Sequence, residues 1–447
     1  MSKWLKEYQS KLVSPEKAVS VVKSGDWIGS SYAANVLPVL DKALAARTPE
    51  LFDIKLIGGV SSRIYDWFKA DPHGEHFTWN CSHFSAADRY MAQTGSVFYM
   101  PLKYSEILRY IRENLTVDIL MLQVAPMDKH GNFNLGPTIS HYRASMDVAK
   151  IIIVEVNEDM PIGHGGYGHF IHISEVDYIV EAGHCGMPQV ASEDPCEVDA
   201  KIADYVIKEI KDGDCLQLGI GAMPSALGQL IAKSDLKNLG AHTEMLCDAF
   251  VDMVDAGVLN GRKKQLDPGR IVYTFALGTQ KLYDFIDNNP AVAGYTADYT
   301  NDRKIASLND NVVSINNSLE IDLTGQVCSE SVGPRMISGS GGQLDFVETA
   351  YHSKGGRSFI CMASTFTDKQ GQVHSRIKPL LAHGAVVTDT RPAVHHVVTE
   401  HGIVNLKGLF TWQRAEALIS VAHPDFREDL IKEADKLKLW RNSNKRG

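Results

Sequence analysis

Short, nearly continuous apolar runs alternate with segments of helical period along most of this chain. The runs are Ile54–Val60, Ile119–Val124, Ile151–Val156, Cys215–Ile220, Ile271–Leu277, Phe359–Ala363 and Ala385–Val387. Between them lie helix-period segments such as Ser105–Asn114, Val198–Ile210, Pro224–Lys233 and Asp248–Ala256. A strand that is apolar on both sides has to be covered on both faces, and strands followed in turn by helices do this with a parallel sheet. The pattern therefore predicts an α/β protein with mostly parallel sheets.

Two turn motifs occur twice, in the same order. Lys23-Ser24-Gly25-Asp26 leads into an apolar run and then Pro38-Val39-Leu40. Lys211-Asp212-Gly213-Asp214 does the same, ending at Pro224-Ser225-Ala226-Leu227. Asp128–Asn132 follows the run Ile119–Val124, and Asp368–Gln372 follows Phe359–Ala363. Either motif alone is ordinary turn chemistry. Their shared order predicts two similar open α/β domains related by internal duplication. The Gly-, Pro- and polar-rich stretch 183–197 marks the boundary, giving domains 1–187 and 188–447.

Composition narrows the function. With 447 residues, 44% of them apolar, the chain can build large cores. Its formal charge of −9 argues against a nucleic-acid partner. A polyanionic ligand would need local cations or backbone N–H groups. The 7 cysteines are widely spaced without C-x-x-C, so neither a disulfide framework nor a zinc ribbon is expected. No apolar run approaches the roughly 20 residues of a bilayer span, and the N-terminal segment has no signal-like apolar core. These features predict a cytoplasmic protein that does not act at a membrane. His164, His169 and His172 form one close group and His395, His396 and His401 another. Neither has H-E-x-x-H spacing or cysteine partners, so no metal site is expected. Gly163–Gly168 is expected to be a mobile loop over a pocket.

Three segments carry chemistry. Gly240–Leu246 places Glu244 between a short strand and a helix, where a carboxylate can face the ligand crevice of an α/β sheet. Position leaves two readings open: a nucleophile toward an activated acyl carbon, or an acidic residue complementing the following helix, with Asp248 as a cap. Gly219–Pro224 follows a strand and opens a helix, so its backbone can approach an anion. Pro224 breaks the dinucleotide fingerprint, which weakens a nicotinamide reading. Ser338–Asp345 is a second glycine-rich turn ahead of a helix, an oxyanion hole or a plain surface loop.

Taken together, His242-Thr243-Glu244-Met245, Gln123-Val124-Ala125-Pro126 with Asp128–Gly131, Gly219–Pro224 and Gly339–Phe346 resemble the acetyl-CoA hydrolase/transferase group of family I CoA-transferases. The resemblance is greatest to the 4-hydroxybutyrate and butyryl-CoA:acetate enzymes, and it runs from Lys11 to Ile403. It implies two similar domains with the active site between them, and coenzyme A or an acyl-CoA as substrate with no permanently bound cofactor. Glu244 would be the nucleophile that forms a glutamyl-CoA thioester. Gly221, Ala222, Met223, Pro224, Ser225, Leu319, Gly342 and Lys369 would bind coenzyme A. Gln123 would lie near the bound carboxylate, and the N–H groups around Gly341 and Gly342 would hold developing oxyanions. Relatives imply a homodimer or a dimer of dimers, and substrates that extend to succinate or itaconate. Two other functions stay open: acetyl-CoA hydrolysis through the same intermediate, and non-catalytic coenzyme A binding.

Overall fold

The computed structural model describes residues 3–191, 194–219 and 221–446. Residue contacts gather the chain into two compact units. One comprises the chain up to Ala191 together with Glu244–Asp248 and Ile271–Thr300, and the other comprises Ser192–Thr243, Ala249–Arg270 and Asn301–Gly447.

The first unit is built on a seven-stranded sheet. Its order is Tyr178–Gly183, Ile151–Asn157, Ile119–Val124, Trp27–Tyr32, Ile54–Gly59, Phe77–Cys81 and Val97–Tyr99. Every neighbouring pair is parallel. Ile119–Val124 is buried along its whole length, as an apolar run covered on both faces must be. The chain leaves Trp27–Tyr32 for one side of the sheet and returns beside it as Ile119–Val124. That reversal opens a crevice at the carboxyl ends of these two strands.

In the second unit the order is Gly240–Ala241, Cys215–Leu218, Val312–Asn317, Arg357–Cys361, His396–Thr399 and Gly402–Asn405. Pairing is parallel except between the last two strands. Here Cys215–Leu218 is the strand flanked by an earlier-returning and a later-returning neighbour, as Trp27–Tyr32 is in the first sheet.

The repeated turns take the same local form. Lys23 N–H donates to the Asp26 carboxylate, and Lys211 N–H donates to that of Asp214, both at 2.7 Å. Asp128 accepts from the N–H groups of His130 and Asn132, and Asp368 accepts from those of Gln370 and Gln372. The sheets are nevertheless not strand-for-strand copies. Ile119–Val124 lies directly beside the first strand, whereas Arg357–Cys361 is separated from Cys215–Leu218 by Val312–Asn317.

Several expectations change. The two units are not divided by one cut at 187/188. Met245–Leu246 pairs with Phe275–Ala276, and Ile271–Tyr273 joins Val292–Gly294 and His164–Gly165 in a small parallel sheet. These ladders draw Glu244 into the first unit rather than into a 188–447 domain. The run Ile271–Leu277 is two strands, because the N–H groups of Thr274 and Phe275 both turn to the Glu244 carbonyl. Ala385–Val387 is not a strand, and Ile220 lies outside the described residues. Gly163–Gly168 is partly strand and closely packed. A Cβ at Gly165 would stand 2.1 Å from the Gly294 carbonyl oxygen, and one at Gly166 would stand 1.9 Å from the Tyr295 ring. These glycines serve close backbone approach, not mobility. No helix among the described residues is long and apolar enough to cross a membrane.

Candidate active site

Glu244 follows the strand Gly240–Ala241 and immediately precedes Met245–Leu246. Its main chain is fixed by Thr274 N–H and Phe275 N–H, which donate to its carbonyl at 3.0 and 3.3 Å. Leu277 N–H donates to the Leu246 carbonyl at 3.1 Å. Asp248 does not act as a free cap, since its carboxylate accepts from Thr279 N–H at 3.0 Å and Thr279 Oγ1 at 2.7 Å. The nucleophile candidate thus sits on a short segment held at its start, middle and end.

A buried aromatic and hydroxyl group lies beside it. Tyr32 and Tyr104 stack with ring centroids 6.0 Å apart, and Phe275 meets both edge-on at 5.6 and 6.1 Å. The Tyr104 hydroxyl shares a hydrogen bond with Ser140 Oγ, which is 2.8 Å from His141 Nδ1. Burial raises the pKa of both phenols, and the negative charge of Glu244 adds to the shift at each. Burial lowers His141 to about 4, so its imidazole is neutral at pH 7. Ser140 holds a left-handed backbone, φ +47°. Its N–H donates to the Thr274 carbonyl, and its own carbonyl accepts from Ala297 N–H. A non-glycine residue kept in that region is a local cost sustained by surrounding bonds. Both phenols stay protonated beside Glu244 at neutral pH.

Gln123 is fully buried. Its side-chain nitrogen donates to Glu155 at 3.2 Å and reaches Cys185 Sγ at 3.5 Å, while its oxygen accepts from Asn157 at 3.4 Å. Asn35 bonds the Gln123 backbone at both N–H and C=O, and Asn35 and Tyr32 exchange backbone bonds. Gln123 is therefore linked to the Tyr32 side of the site through this turn, and its own amide is committed inside the protein. Burial pushes Glu155 up to about 7, against the lowering effect of Leu40 N–H and Gln123. A carboxyl whose folded pKa exceeds its unfolded value of about 4.3 contributes stability below that value and loses it as pH rises through the folded pKa. Glu155→Gln should therefore gain in unfolding temperature relative to wild type between pH 5 and pH 8. A difference that stays constant over that range would contradict the assignment.

In the second unit the two glycine-rich loops converge. Gly221 caps the helix Ala222–Ala232 at φ +113°, a conformation that favours glycine. Pro224 falls in the first turn, where a missing N–H costs little. A Cβ at Gly221 would stand 3.3 Å from Asn317 Nδ2. Ser329 Oγ donates to the Asn317 carbonyl at 3.2 Å, and Gln343 Nε2 donates to Ser329 Oγ at 2.8 Å. Gln343 opens the helix Gln343–His352, capped by Gly342, with Gly341 before it at φ +47°. Leu319 donates its N–H to the Cys328 carbonyl, and its carbonyl accepts from Arg376 Nη1 at 2.8 Å. Lys369 lies exposed at the tip of the hairpin Thr365–Thr367/Val373–Ser375. Just past that hairpin, Arg376 and Lys378, the latter on the strand Ile377–Lys378, lie 5.2 and 5.7 Å from the Phe366 ring centroid.

Lys264 holds the approach to Glu244. It is 6% exposed, and its ammonium donates to the Ala241 carbonyl at 3.0 Å and the Arg270 carbonyl at 2.8 Å. These carbonyls lie just before the two points, Thr243/Glu244 and Arg270/Ile271, where the chain leaves the second unit. Burial lowers the Lys264 pKa.

Residues 2–190 match the acetyl-CoA hydrolase/transferase N-terminal domain and residues 278–434 its C-terminal domain. The butyryl-CoA:acetate CoA-transferase of Anaerostipes caccae is 50% identical over 441 residues, 98% of this chain and 99% of that protein. The chain belongs to the acetyl-CoA hydrolase/transferase family. The 4-hydroxybutyrate coenzyme A transferase of Clostridium kluyveri is 41% identical over 97% of this chain and 99% of that one. Among solved structures, RipA from Yersinia pestis superposes with a TM-score of 0.88 at 36% identity, covering 98% of this chain and 100% of that one. The 4-hydroxybutyrate CoA-transferase of Porphyromonas gingivalis gives 0.78 at 30% identity, over 97% and 100%.

For this family member, sequence reasoning passed over Asn317, Arg376, Lys264 and the Tyr32–Tyr104–Ser140 group. Arg376 and Lys378 left only the faint signal of two cations close together in the sequence, one in a bend and one on the short strand Ile377–Lys378. The others are single polar residues whose neighbours come from distant segments. Of the histidines, His172 meets the Trp4 ring edge-on with centroids 4.6 Å apart, and the His395 and His396 ring centroids are 4.1 Å apart. Among the described residues no group of three or more His, Cys, Asp or Glu is arranged to hold a metal ion.

Proposed function

We propose that this enzyme moves coenzyme A between short-chain carboxylates, with acetyl-CoA or butyryl-CoA as donor and acetate, butyrate or 4-hydroxybutyrate as acceptor. The observation that carries the chemistry is Glu244, partly exposed on a segment fixed by Thr274 and Phe275. The substrate range rests on full-length relatives named for butyryl-CoA:acetate and 4-hydroxybutyrate transfer.

A Glu244 oxygen attacks the thioester carbonyl carbon of the donor. The C–S bond breaks, leaving an acyl-glutamyl anhydride and the coenzyme A thiolate. The thiolate attacks the glutamyl carbonyl and expels the donor acid as its carboxylate. The acceptor carboxylate then attacks the glutamyl-CoA thioester, and the same steps run in reverse. A thioester is already activated, so the protein's task is to hold the developing oxyanions and exclude water. The N–H groups around Gly341 and Gly342 are assigned to the oxyanions. The loop Gly221–Ser225 and residues Leu319, Gly342 and Lys369 are assigned to coenzyme A, with Arg376 and Lys378 adding charge that offsets the −9 of the whole chain. Gln123 is assigned to the neighbourhood of the bound carboxylate, with its amide held by Glu155 and Asn157. The same reading describes a cytoplasmic enzyme without a bound cofactor that assembles as a homodimer or a dimer of dimers.

Acceptor dependence separates transfer from hydrolysis. New acyl-CoA should appear only with an added acid, with parallel double-reciprocal plots, and acetyl-CoA alone should give little steady thiol release. Steady thiol release at a rate indifferent to acceptor would make the enzyme a hydrolase.

A further inference from the structure

Asp389 is fully buried in the second unit, a position that needs a reason. One carboxyl oxygen accepts from Gln343 Nε2 at 2.7 Å, and the other has no hydrogen-bond partner among the described residues. Its backbone is fixed, since Val327 N–H donates to the Asp389 carbonyl at 3.1 Å. The same Gln343 nitrogen donates to Ser329 Oγ, so both its hydrogens are used. Ser329 bonds the Asn317 carbonyl, and the Asn317 side chain borders Gly221. Gln343 directly follows Gly342 and is the first residue of its helix. The carboxyl therefore stands at the buried end of a chain of polar contacts that reaches both glycine-rich loops.

We propose that Asp389 is the positioning residue that, through Gln343, fixes the aim of the Gly341 and Gly342 N–H groups toward the developing oxyanion. This rests on the reading of those groups given above. An apolar residue at 389 would leave one Gln343 hydrogen without an acceptor, and the side chain would swing to another. The helix start would follow, and donors that must lie about 3 Å from an oxyanion lose most of their value when displaced. Burial, with the nearby charges of Glu330 and Glu348, raises the carboxyl to about 7. The neutral acid is thus well populated at neutral pH. An asparagine carries the same acceptor oxygen in the same place.

The test is the single-turnover rate of glutamyl-CoA thioester formation, followed by intact-protein mass with acetyl-CoA, together with coenzyme A affinity. Asp389→Ala should slow formation about 10- to 100-fold while coenzyme A affinity stays within about threefold. Asp389→Asn should restore most of the rate, and Gln343→Met should lose as much as Asp389→Ala. The double variant should be no slower than either single one, as for two residues in one path. Asp389→Ala forming thioester at the wild-type rate overturns the proposal, as does an Asp389→Asn equally impaired or a double variant with additive losses. If Asp389→Ala does not fold, Asp389→Asn and Gln343→Met decide by the same criteria. Failure of wild type itself to form a thioester overturns the covalent mechanism and the proposal with it. A thioester formed by wild type with unaffected variants overturns only the role of Asp389.

Discussion

Glu244→Gln should lower transfer by about 10⁴-fold or more while acyl-CoA still binds, because it removes the attacking oxygen and little else. The substitution keeps size and shape. The bonds that hold residue 244 are made by its carbonyl, from Thr274 and Phe275, and these do not depend on the side chain. The fold should therefore survive, and the unfolding temperature should stay near that of wild type. Glu244→Asp makes a finer point. It keeps the carboxylate but withdraws it by about one bond, and misplacement of that order costs about 10²-fold when geometry limits the rate. The expected ranking is wild type, then Asp, then Gln. Equal activity of wild type and the Gln variant would remove Glu244 from the chemistry, and activity lost only together with the unfolding temperature would mean that this position serves to hold the fold.

Lys264→Met should harm both stability and turnover. Methionine matches the length of the lysine stem but cannot donate to the carbonyls of Ala241 and Arg270. Bonds from a charged donor contribute about 1.5–3 kcal/mol each, and two buried carbonyls would lose theirs. Relief of the buried ammonium offsets part of this, leaving a net loss of about 2 kcal/mol. The unfolding temperature should fall by several degrees. Gly240 leaves no slack for the chain to adjust, since a Cβ there would already stand 2.6 Å from Lys264 Cγ. Ala241 lies three residues before Glu244, so the run-in to the carboxylate loses its anchor. Turnover should drop about 10- to 100-fold with little change in the acyl-CoA KM. Measured kcat and KM beside a thermal melt check this. Loss of stability with full turnover would make Lys264 a structural residue alone.

The contrast between Glu244 and Lys264 marks what could be read from the sequence. Strands such as Ile119–Val124 were legible because burial on both faces leaves a continuous apolar run. The paired turns were legible because an aspartate that accepts its neighbours' N–H groups is local chemistry, and the same four or five residues give the same geometry twice. Glu244 was legible through a resemblance, not through pattern alone. Ala385–Val387 misled because three apolar residues look like a short strand. Val386 and Val387 are in fact exposed, and Val386 N–H is tied to Ser331 Oγ rather than to a ladder. The break in Ile271–Leu277, the pull of Glu244 into the first unit and the role of Lys264 were not legible. Each depends on which distant backbone groups happen to face one another, and no local pattern encodes that.

The most direct test of the account is to incubate the enzyme with acetyl-CoA, reduce it with borohydride and map the product by mass spectrometry. The account predicts conversion of Glu244 to its primary alcohol, with loss of activity, only when acyl-CoA is present. An unmodified Glu244 in protein that still binds acyl-CoA would contradict it.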